Sequence, residues 1–168
     1  MNFKFNKVFI MSGINYIKLL VSILVCQIAG FIGSYFTAPA ISGWYAELNK
    51  PFFTPPDWLF APAWITLYFL MGVSLYIVWN KGLESRQSKI AVIIFAIQLV
   101  LNTLWSLIFF GLQAPLFAFI WIILLLVAIF ATIFYFYRIS RPAAYLLVPY
   151  ILWVSFAAVL NFAIYYLN

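Results

Sequence analysis

Five apolar stretches, each about 20 residues long and almost free of charge, decide what this chain can fold into. A water-soluble domain must cover its surface with polar groups. A chain of 168 residues that is 68% hydrophobic and 7% charged has too few of them. The stretches are continuous rather than alternating, which is the pattern of spanning helices and not of barrel strands. Lipid admits only these two structures, because every backbone polar group must find its partner internally. The expected fold is an all-α membrane protein, a five-transmembrane-helix bundle. Its helices are read at about 19–38, 58–80, 89–111, 115–137 and 143–166. Each can cross an apolar core of about 30 Å. Pro115 and Pro142 suit the first turns of the fourth and fifth helices, where a missing N–H costs little. No repeat, low-complexity tract or linker interrupts the chain. It divides into an N-terminal segment, 1–18, and a single domain, 19–168.

The basic residues orient the spans. Lys4, Lys7, Lys18, Lys81, Arg86, Lys89, Arg138 and Arg141 fall on one side of a five-span topology, and Lys50 alone on the other. By the positive-inside rule the N-terminus is cytoplasmic, the 39–57 loop and the C-terminus face out, and the setting is a plasma (inner) membrane. The net charge of +6 therefore reads as topology, not as a nucleic-acid surface. Ala38-Pro39-Ala40 imitates a signal-peptidase site, but the apolar run before it exceeds the usual length of about 7–15 residues. The first helix is expected to be retained.

What the chain lacks excludes several functions. It has no His and one Cys, Cys26. Internal disulfides, His-based acid/base chemistry and His-containing metal sites are thereby removed, and no metal is expected. Cys26 reads as a small apolar filler. No Asp, Glu, Lys or Arg lies deep in a span, which argues against proton- or ion-coupled transport. Glu47 and Asp57 lie in the outer loop, and Glu84 in an inner one.

The chain is rich instead in aromatics: 19 Phe, 11 Tyr and 7 Trp. Trp44 to Trp64 reads WYAELNKPFFTPPDWLFAPAW, an outer loop of rigid rings and prolines leading into the second span. Lys50, Pro51, Pro55 and Pro56 would shape an entrance there, with Lys50 placed to attract carboxylates. Trp44, Trp58 and Trp79 suit an interfacial belt. Trp105 and Trp153 lie too deep for one. Trp105 shares a helical face with Gln98, Asn102, Ser106 and Phe109. A buried indole N–H needs a partner. Two readings stay open: helix–helix hydrogen bonding with Asn102 and Ser106, or a pocket with an aromatic wall and a few polar anchors. The fifth helix carries Tyr145, Pro149, Trp153, Ala157, Asn161 and Tyr165 at four-residue spacing. Pro149 should bend it one turn before Trp153. The second helix offers Trp64, Tyr68 and Met71 on one face. In the first helix, Ser22, Cys26, Gly30 and Ser34 form a small-residue stripe. It admits another helix closely, either inside the bundle or between the protomers of a homodimer.

Three ordered motifs resemble a known family. They are Trp44-Tyr45, Leu48, Lys50-Pro51, Thr54-Pro55-Pro56 and Phe60-x-Pro62-x-Trp64 in the loop; Gln98-Leu-x-Leu-Asn102-x-x-Trp105-Ser106-x-x-Phe109-Phe110 in the third helix; and Leu147-x-Pro149-Tyr150-x-x-Trp153-x-x-Phe156-Ala157-x-x-Leu160-Asn161 in the fifth. Over 19–168 the chain resembles the translocator protein (TspO/MBR) family, the tryptophan-rich sensory proteins also called peripheral-type benzodiazepine receptors. The resemblance implies a ligand cavity inside the bundle, opening toward the loop between helices one and two. It implies tetrapyrrole ligands such as protoporphyrin IX, with sterols and aromatic drugs in some members. It places ligand-lining positions at Trp44, Tyr45, Trp64, Tyr68, Asn102, Trp105, Ser106, Trp153 and Ala157. One departure stands out: Tyr165-Tyr166 is followed only by Leu167-Asn168, so the basic residue of sterol-binding relatives is missing. Val73-x-x-Tyr76 with Lys81 matches that loose pattern elsewhere.

Three functions follow as expectations. The first is a membrane receptor, transport or sensory protein that binds a porphyrin non-covalently, with no covalent cofactor. The second is an enzyme for light- and oxygen-dependent porphyrin breakdown, with Trp64 and Trp153 as candidate catalytic residues. There the pigment would carry the difficult chemistry, since no conventional catalytic constellation exists. The third is a structural or partner protein, or a sterol or lipid binder. The lipid bilayer is a partner in every case.

Overall fold

A computed structural model describes residues 14–168. Lys4 and Lys7, and with them most of the expected N-terminal segment, lie outside the described residues. Seven helices build five membrane-length rods. They are α1 (Tyr16–Ile41), α2 (Trp44–Glu47), α3 (Phe60–Asn80), α4 (Arg86–Ser106), α5 (Pro115–Ile139), α6 (Arg141–Leu146) and α7 (Val148–Leu167). The candidate spans are Tyr16–Ile41, Asp57–Asn80, Arg86–Gly111, Pro115–Ile139 and Arg141–Leu167. The chain is an integral membrane protein with a five-helix fold.

Local chemistry sets the helix ends, and several lie beyond the expected boundaries. Asn15 caps α1 three residues early relative to 19–38, its side chain accepting the Lys18 N–H at 3.0 Å. The helix then runs on to Ile41 through Pro39, which sits in its last turns and forfeits a single ladder bond. Ser85 caps α4 by accepting the Ser88 N–H at 3.0 Å. Gly82, at φ 101°, ends α3 in the left-handed conformation that glycine adopts without strain. Pro115 and Pro142 occupy the first turns of α5 and α6 as expected. The fifth rod is not one helix over 143–166. It breaks at Leu147, two residues before Pro149, because the proline ring cannot follow a regular turn.

The rods close a ring in the order α3, α1, α4, α5, α6/α7 and back to α3. The end of the bundle remote from the 42–59 loop is solid. Cys26, Met71, Val78, Ala91, Ile129, Phe136 and Ala143 are fully buried there. The Phe95 and Phe136 rings stack at 5.6 Å. The Ser74 hydroxyl donates to the Ala143 carbonyl at 2.7 Å and ties α3 to α6. At Gly72 a Cβ would stand 2.6 Å from Ile23 Cα, so this glycine is what lets α1 meet α3. Three of the four stripe residues of α1 are used inside the bundle, since Ser22 and Cys26 are buried and Gly30 receives the Tyr68 ring, whereas Ser34 is exposed. Large apolar side chains such as Phe31, Phe117, Val127 and Leu152 cover the outside, as a lipid-facing surface requires.

Candidate ligand cavity

The half of the bundle nearest the loop is hollow. A cavity of about 630 Å³ lies between α1, α3, α7 and the end of α4. Along α1 it extends from Gln27 to Ile41, roughly 20 Å at 1.5 Å per residue. Its walls are aromatic: Trp64 and Tyr68 from α3, Trp105 and Phe109 from the end of α4, and Trp153 and Phe156 from α7.

Each wall has a local cause. The α4 rod does not end as a regular helix. Leu107–Gly111 forms a π-helical turn, with the Leu112 N–H bonding the Leu107 carbonyl at 2.8 Å. Such wide turns gather at functional sites because they re-aim side chains. Here the turn stacks Phe109 on Trp105 at 5.3 Å and sets Phe110 edge-on to Phe109 at 4.8 Å. The Trp105 indole N–H donates to Asn161 Oδ1 at 3.2 Å, across to α7. The break at Leu147 lets α7 take its own direction and turn Trp153 inward, its ring 6.2 Å from Phe60.

Beneath the cavity lies a buried polar network. The Tyr68 hydroxyl donates to Asn102 Oδ1. Asn102 Nδ2 donates to the Tyr150 hydroxyl at 2.9 Å, which donates to Gln98 Oε1 at 2.9 Å. Within this network Gln98 Nε2 has no partner among the described residues. The network fixes the Tyr68 ring from behind, while Gly30 supplies the space in front.

The residues singled out from the sequence divide as follows. Tyr45, Trp64, Tyr68, Trp105, Ser106, Trp153 and Ala157 line the cavity together. Asn102 does not: it is 3% exposed and belongs to the network below. Trp44 does not either. It packs against Phe109 at 5.7 Å, behind the wall. Lys50, Pro51, Pro55 and Pro56 are outside the lining too. Lys50 lies over the Tyr45 ring with Nζ 4.3 Å from its centroid. The Pro51 carbonyl accepts the Thr54 N–H at 3.0 Å, and the Pro56 carbonyl accepts that of Leu59 at 2.9 Å, so these prolines shape the cover. Both readings of Trp105 hold at once, since it walls the cavity and bonds another helix, but its partner is Asn161 and not Asn102 or Ser106. Sequence reasoning missed Phe60, Phe156, Tyr150 and the linking role of Asn161. Tyr150 and Phe156 stood in the motif, yet nothing in their spacing told a network from a wall.

The loop is fastened over the cavity. The Asn49 N–H donates to Asn168 Oδ1 at 2.9 Å, and Asn168 Nδ2 returns to the Asn49 carbonyl at 3.0 Å. Tyr45 is 3% exposed beneath it. Burial first, and the nearby Asp57 carboxylate second, push its phenol from the ordinary 10.0 up to about 12, so it stays a neutral hydroxyl. Asp57 brings the cavity lining its one formal charge.

A profile of the TspO/MBR family matches residues 22–167. The chain belongs to the TspO/MBR family. It is 52% identical over 154 residues to the Tryptophan-rich protein TspO of Archaeoglobus fulgidus, covering 92% of this chain and 99% of the relative. It is 37% identical over 140 residues to the Translocator protein of Bos taurus, covering 83% of each. It is 37% identical over 138 residues to the Tryptophan-rich sensory protein of Cereibacter sphaeroides, covering 78% of this chain and 85% of that one. The aromatic cavity, the π turn and the Leu147 break all fall within the TspO/MBR match.

Proposed function

We propose that this membrane protein is a receptor, of the transport or sensory kind, for a flat apolar tetrapyrrole such as protoporphyrin IX, held non-covalently in the cavity. The observation that carries this reading is the 630 Å³ space walled by Trp64, Trp105 and Trp153. Small-molecule sites occupy about 300–1,000 Å³, are largely apolar, and carry a few polar groups that fix orientation. Each aromatic stack contributes about 0.5–1.5 kcal/mol beyond area burial. The Trp64 and Trp153 indoles, the Ser106 hydroxyl and the Tyr45 hydroxyl form no hydrogen bond among the described residues, which leaves four donors for a ligand's acceptors. In our reading the end bearing Lys18, Lys81, Arg86, Lys89, Arg138 and Arg141 faces the cytoplasm of a plasma membrane, and the cavity end faces out.

The second reading is light-driven porphyrin breakdown, favoured by Trp64 and Trp153 both lining the cavity. The bound pigment would absorb the light, dioxygen would be the oxidant, and one of these indoles would exchange an electron with the excited ring.

The test is a protoporphyrin IX titration of the purified protein, followed by Trp fluorescence, with Trp153→Phe alongside. Saturable quenching that weakens in the variant supports the receptor. Quenching that scales with detergent and not with protein overturns it. Bleaching under light that proceeds equally in Trp64→Phe and Trp153→Phe removes the second reading.

A further inference from the structure

The cavity is not sealed on all sides, and its opening is not under the loop. Every lining residue contributed by α4, the π turn and α7 is buried or half-buried. The exposed lining residues belong to α1 and to the rod of α3. Phe31 is 75% exposed, Ile65 60% and Ile28 56%, and Ser34, Ala38 and Ala61 are exposed as well. The same cavity therefore touches Tyr68 and Phe109 at its heart and the lipid-facing surface at its edge. The two helices meet tightly at Gly72 and Ile23 and leave the space between them on the loop side of that contact. Gln27 Nε2, which donates to the Ile65 carbonyl at 3.0 Å, marks the deep end of the crevice. Small side chains at Ser34, Ala38 and Ala61 keep it open.

The axial route is closed by comparison. The Asn49–Asn168 pair fastens the loop to the end of α7. Lys50 covers Tyr45, and Phe53 packs on Phe156 at 6.3 Å.

We propose that ligands enter and leave the cavity sideways, from within the bilayer, through the crevice between α1 and α3 bounded by Phe31, Ser34, Ala61 and Ile65. The ligand class is then a molecule already dissolved in lipid, with an apolar body and a few hydrogen-bond acceptors that the cavity's free donors can meet, and the Asp57 carboxylate at the loop end of the crevice keeps an anionic edge away from itself. This rests on the cavity being the ligand site, and it adds the route and the phase from which the ligand is drawn.

The experiment uses the whole protein in phospholipid vesicles preloaded with protoporphyrin IX, with Trp quenching followed in time. The variants are Ala61→Phe and Ser34→Phe, which narrow the crevice from its exposed rim, Ile65→Ala, which widens it, and Asn49→Ala, which loosens the loop. Narrowing should slow association and dissociation together by about tenfold, a joint slowing that a mere loss of ligand contacts, which speeds dissociation, does not give, and widening should speed both. Asn49→Ala should leave the rates alone. Ile65→Ala keeps the test sharp if a narrowing variant fails to fold. Rates that ignore the crevice variants, or that respond to Asn49→Ala alone, overturn the lateral route. Absence of saturable quenching in the unaltered protein overturns the ligand reading itself and the route with it.

Discussion

Asn161 bonds to two other helices at once: its Oδ1 accepts the Trp105 indole N–H at 3.2 Å, and its Nδ2 donates to the Pro115 carbonyl at 2.8 Å. One α7 side chain thereby fixes a cavity wall on α4 and the first turn of α5. Asn161→Leu would leave the half-buried indole donor without this partner, at a cost of about 1 kcal/mol. Thermal unfolding should show that loss. In the double variant with Trp105→Phe the two losses should add to less than their sum, because the donor is already gone. Strict additivity would mean that the bond contributes nothing.

Gly30 sets the position of Tyr68. A Cβ there would stand 2.4 Å from Tyr68 Cε2 and 2.5 Å from Cδ2. The ring cannot yield freely, because its hydroxyl is tied to Asn102. Gly30→Ala should therefore destabilise by about 1–3 kcal/mol, as overpacking does. It should also weaken porphyrin binding by moving the cavity wall. Combined with Tyr68→Leu, which removes both the clashing ring and its bond to Asn102, the two losses should add to less than their sum, and binding should not return. Gly30→Ala with unchanged unfolding would show that the two helices adjust without strain.

Tyr45 predicts an alkaline dependence. Its phenol is pushed up to about 12 by burial and, second, by the Asp57 carboxylate. A folded-state value above the unfolded 10.0 gives stability that is fully present below about 10 and lost as pH rises through about 12. Across that window the unaltered protein should lose more stability than Tyr45→Phe, and Asp57→Asn should lose less than the unaltered protein, because its folded-state phenol lies closer to the unfolded 10.0. Parallel curves for the protein and Tyr45→Phe would contradict the assignment.

Much of this architecture was legible in the sequence, for physical reasons. Uninterrupted apolar runs specify spanning helices because lipid leaves no alternative. Pro149 announced the break at Leu147, since a proline ring disrupts any interior turn. Trp105 and Trp153 were visible as deep aromatics, and Trp64 and Tyr68 as neighbours on one helical face. What stayed hidden depends on how the rods pack. Leu107–Gly111 has the composition of an ordinary helix, so its π turn could not be foreseen. Asn102 and Asn161 are alike as residues, yet packing sends one beneath the floor and the other to the wall. Trp44 and Lys50 belonged to the motif of an entrance. Their side chains instead pack against Phe109 and Tyr45, because a loop over an apolar cavity covers it with its own rings and stems.

The measurement closest to the central claim is a protoporphyrin IX titration of Ala157→Trp beside the unaltered protein. Ala157 is a small lining residue of α7, and an indole there fills space that the ligand needs. Loss of saturable quenching with cooperative thermal unfolding retained is the predicted result. Equal affinity in the two proteins would place the porphyrin outside the cavity and contradict the account.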